Sequence, residues 1–211
     1  MSLKDQFINQ FSRSKLKGLP GDEAHKLVLP INRPLPSKMK DLENYRESAV
    51  GILLYDEGAS LKSVLIERPE YDGVHSKQIA FPGGKKDATD PDLEFTARRE
   101  CEEEIAIPKD SLELIGSISP VHIPISRFTI NPYIFYVEKM PELIPEPREV
   151  ADIIHFDVDA ILEDDKLTRT NVRISSNMIR KDVPCFMING KVVWGATAML
   201  LSELRSIIKD F

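Results

Sequence analysis

Six consecutive residues, Arg99-Glu100-Cys101-Glu102-Glu103-Glu104, put four carboxylates and a guanidinium into less than two helical turns. At about 100° per residue, Glu100, Glu103 and Glu104 fall within an arc of about 100°, and Glu102 points nearly the opposite way. Leu93, Ala97, Cys101 and Ile105 fall on an adjoining arc of about 120°, the face expected to meet a core. Three acids are thus gathered where this helix joins the protein body. Like charges three and four residues apart repel, and burial adds to the cost. A divalent cation relieves it; magnesium takes oxygen ligands and keeps room for substrate phosphate. A solvated acidic helix face is the other reading of the same run. Arg99, four residues before Glu103, is spaced to hold that carboxylate.

The elements around this helix determine whether the acids act together. The periodicity predicts a helix from about Pro91 to Ala106, stopped by Pro108, with Asp90 as its cap and Pro91 at the first helical position. Just upstream, Gln78 to Phe81 reads as a short strand running into the glycine loop of Phe81-Pro82-Gly83-Gly84-Lys85, where backbone can approach a ligand closely. Ala49–Tyr55 and Ser63–Ile66 form a predicted hairpin. Further strand-like segments lie near Leu112–Ser119, Phe128–Val137 and Ile153–Phe156. Cys185–Ile188 and Val192–Trp194 flank an Asn189-Gly190 turn, and an amphipathic helix spans Ala196 to Ile208.

A Gly-Gly loop followed by a helix bearing Arg-Glu-x-x-Glu-Glu resembles the Nudix box. Gly84 supplies its glycine, and Arg99-Glu100-Cys101-Glu102-Glu103-Glu104-Ile105-Ala106-Ile107 supplies its helix. Ala106 replaces the usual glycine, the spacing from Gly84 to Arg99 is one residue longer, and Asp90 stands about where the box has its first glutamate. The longer spacing is similar to that of the coenzyme A pyrophosphatase branch, whose Phe-Pro-Gly-Gly-Lys-x-Asp-x-x-Asp pattern is met by Phe81 through Asp87 and Asp90, followed by Thr96-Ala97-Arg98-Arg99-Glu100. The likeness returns at Val193-Trp194-Gly195-Ala196-Thr197-Ala198 and covers Ser48 to Ile208 in outline. Before the box the chain departs from that branch: Arg68-Pro69 opens the segment, and Gly73 and Lys77 occupy the places of an arginine and a glycine.

The resemblance implies an α/β chain of the α+β type: a Nudix-like mixed β-sheet sandwiched between helices, with a helical N-terminal extension. It implies hydrolysis of a pyrophosphate bond by water, with Mg2+ (Mn2+ as the alternative) held by Glu100, Glu103, Glu104 and the Gly84 carbonyl. Arg99 orients the cluster. Glu149, in Pro147-Arg148-Glu149-Val150, is the candidate general base, ahead of Glu146 and beside the box glutamates themselves. Arg68, His75 and Lys85 are candidates for contact with substrate phosphates. Coenzyme A or an acyl-coenzyme A is the leading substrate; ADP-ribose or another nucleotide is the second, and a non-catalytic Nudix-like binding module the third. Cys101 reads as a buried structural cysteine and Trp194 as packing; His25, His122 and His155 receive no role.

Composition bounds the rest. The chain has 211 residues, 42% hydrophobic and 29% charged, enough for one substantial core. A net charge of −6 argues against a nucleic-acid surface. The two cysteines, Cys101 and Cys185, imply no disulfide framework, and no apolar run approaches membrane-spanning length. A cytoplasmic protein acting on a small-molecule nucleotide, without membrane or nucleic-acid partners, is expected. Residues 1–45 read as an extension of a 46–211 domain: a helix from about Leu3 to Leu16, then a proline-rich stretch. The apolar face of that helix suits its own domain or a partner subunit, so a homodimer is also an expectation.

Overall fold

The computed structural model describes residues 1–29, 33–70, 77–175 and 178–209. Helix α1 (Leu3–Lys17) opens with a capping box in which the Ser2 hydroxyl accepts from the Asp5 amide at 3.0 Å and the Asp5 carboxylate accepts from the Ser2 amide at 3.2 Å. It ends at Gly18, whose φ of 92° suits glycine. Helix α2 (Gly21–His25) follows.

Strands β1 (Arg46–Glu57) and β2 (Ser60–Glu67) form the expected hairpin, closed where Glu57 faces Ser60. Next come β3 (Ile79–Ala80), β4 (Gly83–Lys85), helix α3 (Leu93–Ile105), β5 (Glu113–Ser117), β6 (Val121–Ile123), β7 (Phe128–Tyr136) and β8 (Asp152–Asp157). These strands make one mixed sheet with the central order β3-β2-β1-β7-β5; β4, β6 and β8 pair with β1, β7 and β2. The β1–β7 pair is parallel, and the other pairs are antiparallel. A second, antiparallel sheet of β9 (Leu167–Ser175), β10 (Met178–Ile188) and β11 (Lys191–Trp194) leads into helix α4 (Gly195–Lys209). Asn189 and Gly190 turn the β10–β11 hairpin with positive φ at both, as the sequence predicts.

Alternation along the strands divides the core between the two faces of the sheet. Ile52, Leu54, Leu65, Ile134 and Tyr136 pack with Leu200, Leu201 and Leu204 of α4. Ala49, Leu53, Val64, Ile66 and Phe135 pack with Ala97, Cys101 and Ile105 of α3. The sheet is therefore sandwiched between α3 and α4, as expected. The N-terminal segment joins the α4 side: Phe7, Phe11 and Val28 belong to that cluster. Buried Glu203 of α4 accepts from the Gly21 amide at 3.2 Å, the Ser119 amide at 3.2 Å and the Ser119 hydroxyl at 2.7 Å, and lies 2.9 Å from His25 Nε2. No helix among the described residues is long and apolar enough to cross a membrane.

Candidate active site

Helix α3 starts two residues later than the sequence suggests. Asp92, not Asp90, is the cap: its carboxylate accepts from the Phe95 amide at 2.7 Å. Asp90 is drawn instead toward Arg99, whose Nε and Nη2 donate to it at 3.1 and 3.0 Å, and it also accepts from the Thr96 hydroxyl and the Asp87 amide. Buried and so partnered, Asp90 is held ionised, its pKa lowered to about 2, chiefly by the Arg99 hydrogen bond. At the other end Ala106 takes the left-handed conformation (φ 57°) that ordinarily favours glycine.

The wheel places Glu100, Glu104 and Glu102 as expected, but Glu103, expected beside the first two as a metal ligand, is largely exposed and outside their group. Ala97, Cys101 and Ile105 are buried against the sheet, with Glu100 and Glu104 buried at the edge of that face. Glu102 turns away to Lys109 at 2.9 Å. Gly83 and Gly84, expected in a loop, form the edge strand β4, with Gly83 facing Val50 and Gly84 facing Ala49. Close approach requires glycine at Gly83, where a Cβ would lie 2.4 Å from the Ala49 carbonyl oxygen; a Cβ on Gly84 would lie 2.4 Å from Glu100 Oε1 and displace that carboxylate. The strand thus runs directly against the acidic edge of α3, and the Gly83 amide donates to Glu104 Oε2 at 2.7 Å.

Glu149 arrives from far along the chain. The segment before β8 is tied to the end of α3 by the Ile144 amide on the Ile105 carbonyl (3.2 Å) and the Glu146 amide on the Glu104 carbonyl (2.9 Å). The Ala151 amide fastens it to the Glu67 carbonyl at 2.8 Å, and Val150 is buried. One carboxylate oxygen each of Glu100, Glu104 and Glu149 then lie within 4.8 Å of one another, the first two buried and the third exposed. Burial foremost pushes the Glu104 pKa up to about 8, with Glu100 and Glu149 adding repulsion and Arg68 and the Gly83 amide opposing it. Burial likewise raises Glu100 against the pull of Arg99. A convergent, oxygen-only donor set whose negative charge is this poorly compensated fits a hard divalent cation.

Arg99 bridges the acids around this triplet, with Nη1 2.9 Å from Glu100 and 2.7 Å from Glu103. Glu103 is more exposed (58% of its side chain) and lies outside the 4.8 Å group. Arg68 Nη2 donates to the Gly83 carbonyl at 3.2 Å and lies 3.8 Å from Glu104 Oε1. Lys85 is exposed on β4, and its carbonyl accepts from Arg99 at 3.1 Å. His75 lies outside the described residues.

Arg68, Gly83, Gly84 and Lys85 also line one wall of a cleft of about 480 Å³. Its other walls include Ile123, Phe128, Trp194 and Leu200, together with Arg33 and Arg180. Trp194, expected only to pack, thus faces the cleft. The two arginines lie in segments where no motif marks them, so the sequence offers no signal for them.

The profile of the NUDIX domain matches residues 45–177. The Nudix hydrolase NudL of Pectobacterium atrosepticum is 29% identical over 178 residues, covering 83% of this chain and 90% of that one. The NudL of Yersinia pestis is 30% identical over 142 residues, covering 67% of this chain and 69% of its own. Among solved structures, the Nudix hydrolase RenU of M. smegmatis superposes with a TM-score of 0.54 at 16% identity, covering 79% of this chain and 87% of RenU.

Proposed function

The chain belongs to the Nudix family of pyrophosphohydrolases, and from that premise we propose that it hydrolyses the diphosphate of coenzyme A or an acyl-coenzyme A, giving adenosine 3',5'-bisphosphate and 4'-phosphopantetheine. One observation carries the reading: β4 forms both the edge of the Glu100–Glu104–Glu149 triplet and a wall of the mainly apolar cleft. A diphosphate at the acids therefore leaves a bulky organic group against Trp194 and Phe128. The Phe81-to-Glu100 pattern, similar to that of the coenzyme A branch, supports the same substrate.

Glu100 and Glu104 would hold Mg2+, or Mn2+ in its place, with Glu149 completing the set and the Gly84 carbonyl beside it. The bound cation supplies charge neutralisation on the diphosphate oxygens. Arg99 keeps Glu100 aimed and holds Glu103 at the rim. Arg68 and Lys85 bind phosphate oxygens. Glu149, the exposed member, would offer one carboxylate oxygen to the cation and with the other accept a proton from the attacking water as the new P–O bond forms and the anhydride P–O bond breaks. Residues 1–45 serve as an extension of the 46–211 domain, and the two free, buried cysteines suit a cytoplasmic setting.

Incubation with Mg2+ and a panel of coenzyme A, ADP-ribose and nucleoside triphosphates, with products identified by mass, tests this. Coenzyme A cleavage that is lost in Glu104→Gln is expected. Turnover confined to ADP-ribose would replace the substrate; no turnover of any diphosphate would favour a binding module.

A further inference from the structure

Two arginines with no acidic partner among the described residues share the cleft wall, in a protein whose net charge is −6. Arg33 is half-buried in the N-terminal segment and donates from Nη2 to the His122 carbonyl at 2.8 Å. Its Nε is buried and has no hydrogen-bond partner among the described residues. Arg180 is exposed on β10, beside the irregularity that follows Arg180 in its pairing with β9. Burial foremost lowers the Arg33 pKa, and the charge of Arg180 lowers it further, with Tyr45 opposing them. Two guanidiniums lining one partly dry cleft repel each other, and an anion bound in that cleft would relieve the repulsion.

The pair stands apart from the catalytic acids. Going across the sheet, Gly84 on β4 faces Ala49 on β1, β1 pairs with β7, and β7 pairs with His122 on β6. Three strand spacings separate Gly84 from the His122 carbonyl that anchors Arg33, about 14 Å. A diphosphate at Glu100 and Glu104 is not the group these arginines meet. We propose that Arg33 and Arg180 form an anion subsite for a phosphomonoester that the substrate carries apart from its diphosphate. A phosphomonoester dianion matches both charges and presents oxygens to two guanidinium forks, where a single carboxylate would neutralise only one. The inference rests on the reading that the cleft holds the organic part of the substrate, and in coenzyme A the group concerned is the 3'-phosphate. Substrate selection then becomes a role that the N-terminal segment and the β9–β10 hairpin share.

The test compares coenzyme A with 3'-dephospho-coenzyme A, which differ only by that phosphate, in the wild type, Arg33→Gln, Arg180→Gln and the double variant. The wild type is expected to prefer coenzyme A by about tenfold or more in kcat/KM, and the preference should collapse to about twofold in the double variant. Arg180 is exposed, so Arg180→Gln alone decides if Arg33→Gln folds poorly. Calorimetric titration with adenosine 3',5'-bisphosphate and adenosine 5'-monophosphate adds a readout free of turnover. Coenzyme A turnover with equal use of both substrates, or with a preference unchanged in the variants, overturns the subsite and leaves the hydrolase reading intact. No turnover of coenzyme A, with tighter bisphosphate binding that depends on Arg180, overturns the substrate and supports the subsite. Equal binding of both nucleotides overturns the subsite.

Discussion

The backbone amide of Gly83 donates to the carboxylate of Glu104 across 2.7 Å, joining the edge of the sheet to the acidic edge of α3. This contact aims a buried carboxylate without neutralising it. One oxygen is fixed by a neutral donor, and Arg68, the cation paired with this carboxylate, stays 3.8 Å away. The charge that this carboxylate carries once ionised is what a divalent ion would take up.

Metal binding at Glu104 is therefore expected to depend on pH. Burial raises its pKa to about 8, so the metal-free protein retains this proton at neutral pH and a cation must displace it. Mg2+ affinity, measured by calorimetry, should rise as pH climbs toward 8, with proton release in buffers of different ionisation heat. The sign for stability follows from a folded pKa above the unfolded value of 4.5. Metal-free stability falls as pH rises from 4.5 to about 8, then levels. Glu104→Gln removes that slope and should melt higher than metal-free wild type at pH 8, while losing at least about a hundredfold in kcat/KM. A steeper pH slope in the variant would contradict this assignment.

Glu149 and Glu103 are separated by the triplet geometry. Glu149→Gln should cost about a hundredfold or more in kcat, as expected for loss of a general base. Glu103→Gln, outside the 4.8 Å group, should cost about tenfold, through a less firmly held Arg99. Steady-state kinetics at saturating Mg2+ ranks them, and the reverse order would move the ligand set toward Glu103.

Asp90 ties Arg99 to the start of α3. Its pKa is about 2 when folded against 3.8 unfolded, so the ionised form stabilises the fold. That stabilisation is present above 3.8 and disappears as pH falls through about 2. Asp90→Asn is expected to lose about 2 kcal/mol at pH 7. In urea melts its deficit against wild type should vanish at the acid end; a pH-independent deficit would assign the loss to packing instead.

Ala106 holds a left-handed conformation at the end of α3, with its amide on the Glu102 carbonyl at 3.0 Å. Glycine relieves that strain at some cost in unfolded-chain entropy, so Ala106→Gly should stabilise the protein by about 0.5–1 kcal/mol with little change in activity. Denaturant midpoints measure it; destabilisation would mean that the methyl group is packed.

Helical phase is a local property, and so α3, its core stripe of Ala97, Cys101 and Ile105, and the opposed direction of Glu102 are legible from residue order alone. So are the β1–β2 hairpin and the Asn189-Gly190 turn, where backbone preference and alternation agree. The cap is not, because Asp90 and Asp92 offer the same local chemistry, and Arg99, more than two turns along, helped by Thr96 and the Asp87 amide, draws Asp90 away. The sequence by itself determined the acidic helix, the glycines before it and the family to which they point. Tertiary structure decided which acids meet: Glu149 joins Glu100 and Glu104 through backbone hydrogen bonds that fasten its loop to α3 and β2, whereas Arg99 keeps Glu103 at the rim. It also brought Arg33 and Arg180, from near opposite ends of the chain, onto one cleft. Such partners depend on sheet pairing and loop closure across distant residues, which no local pattern encodes.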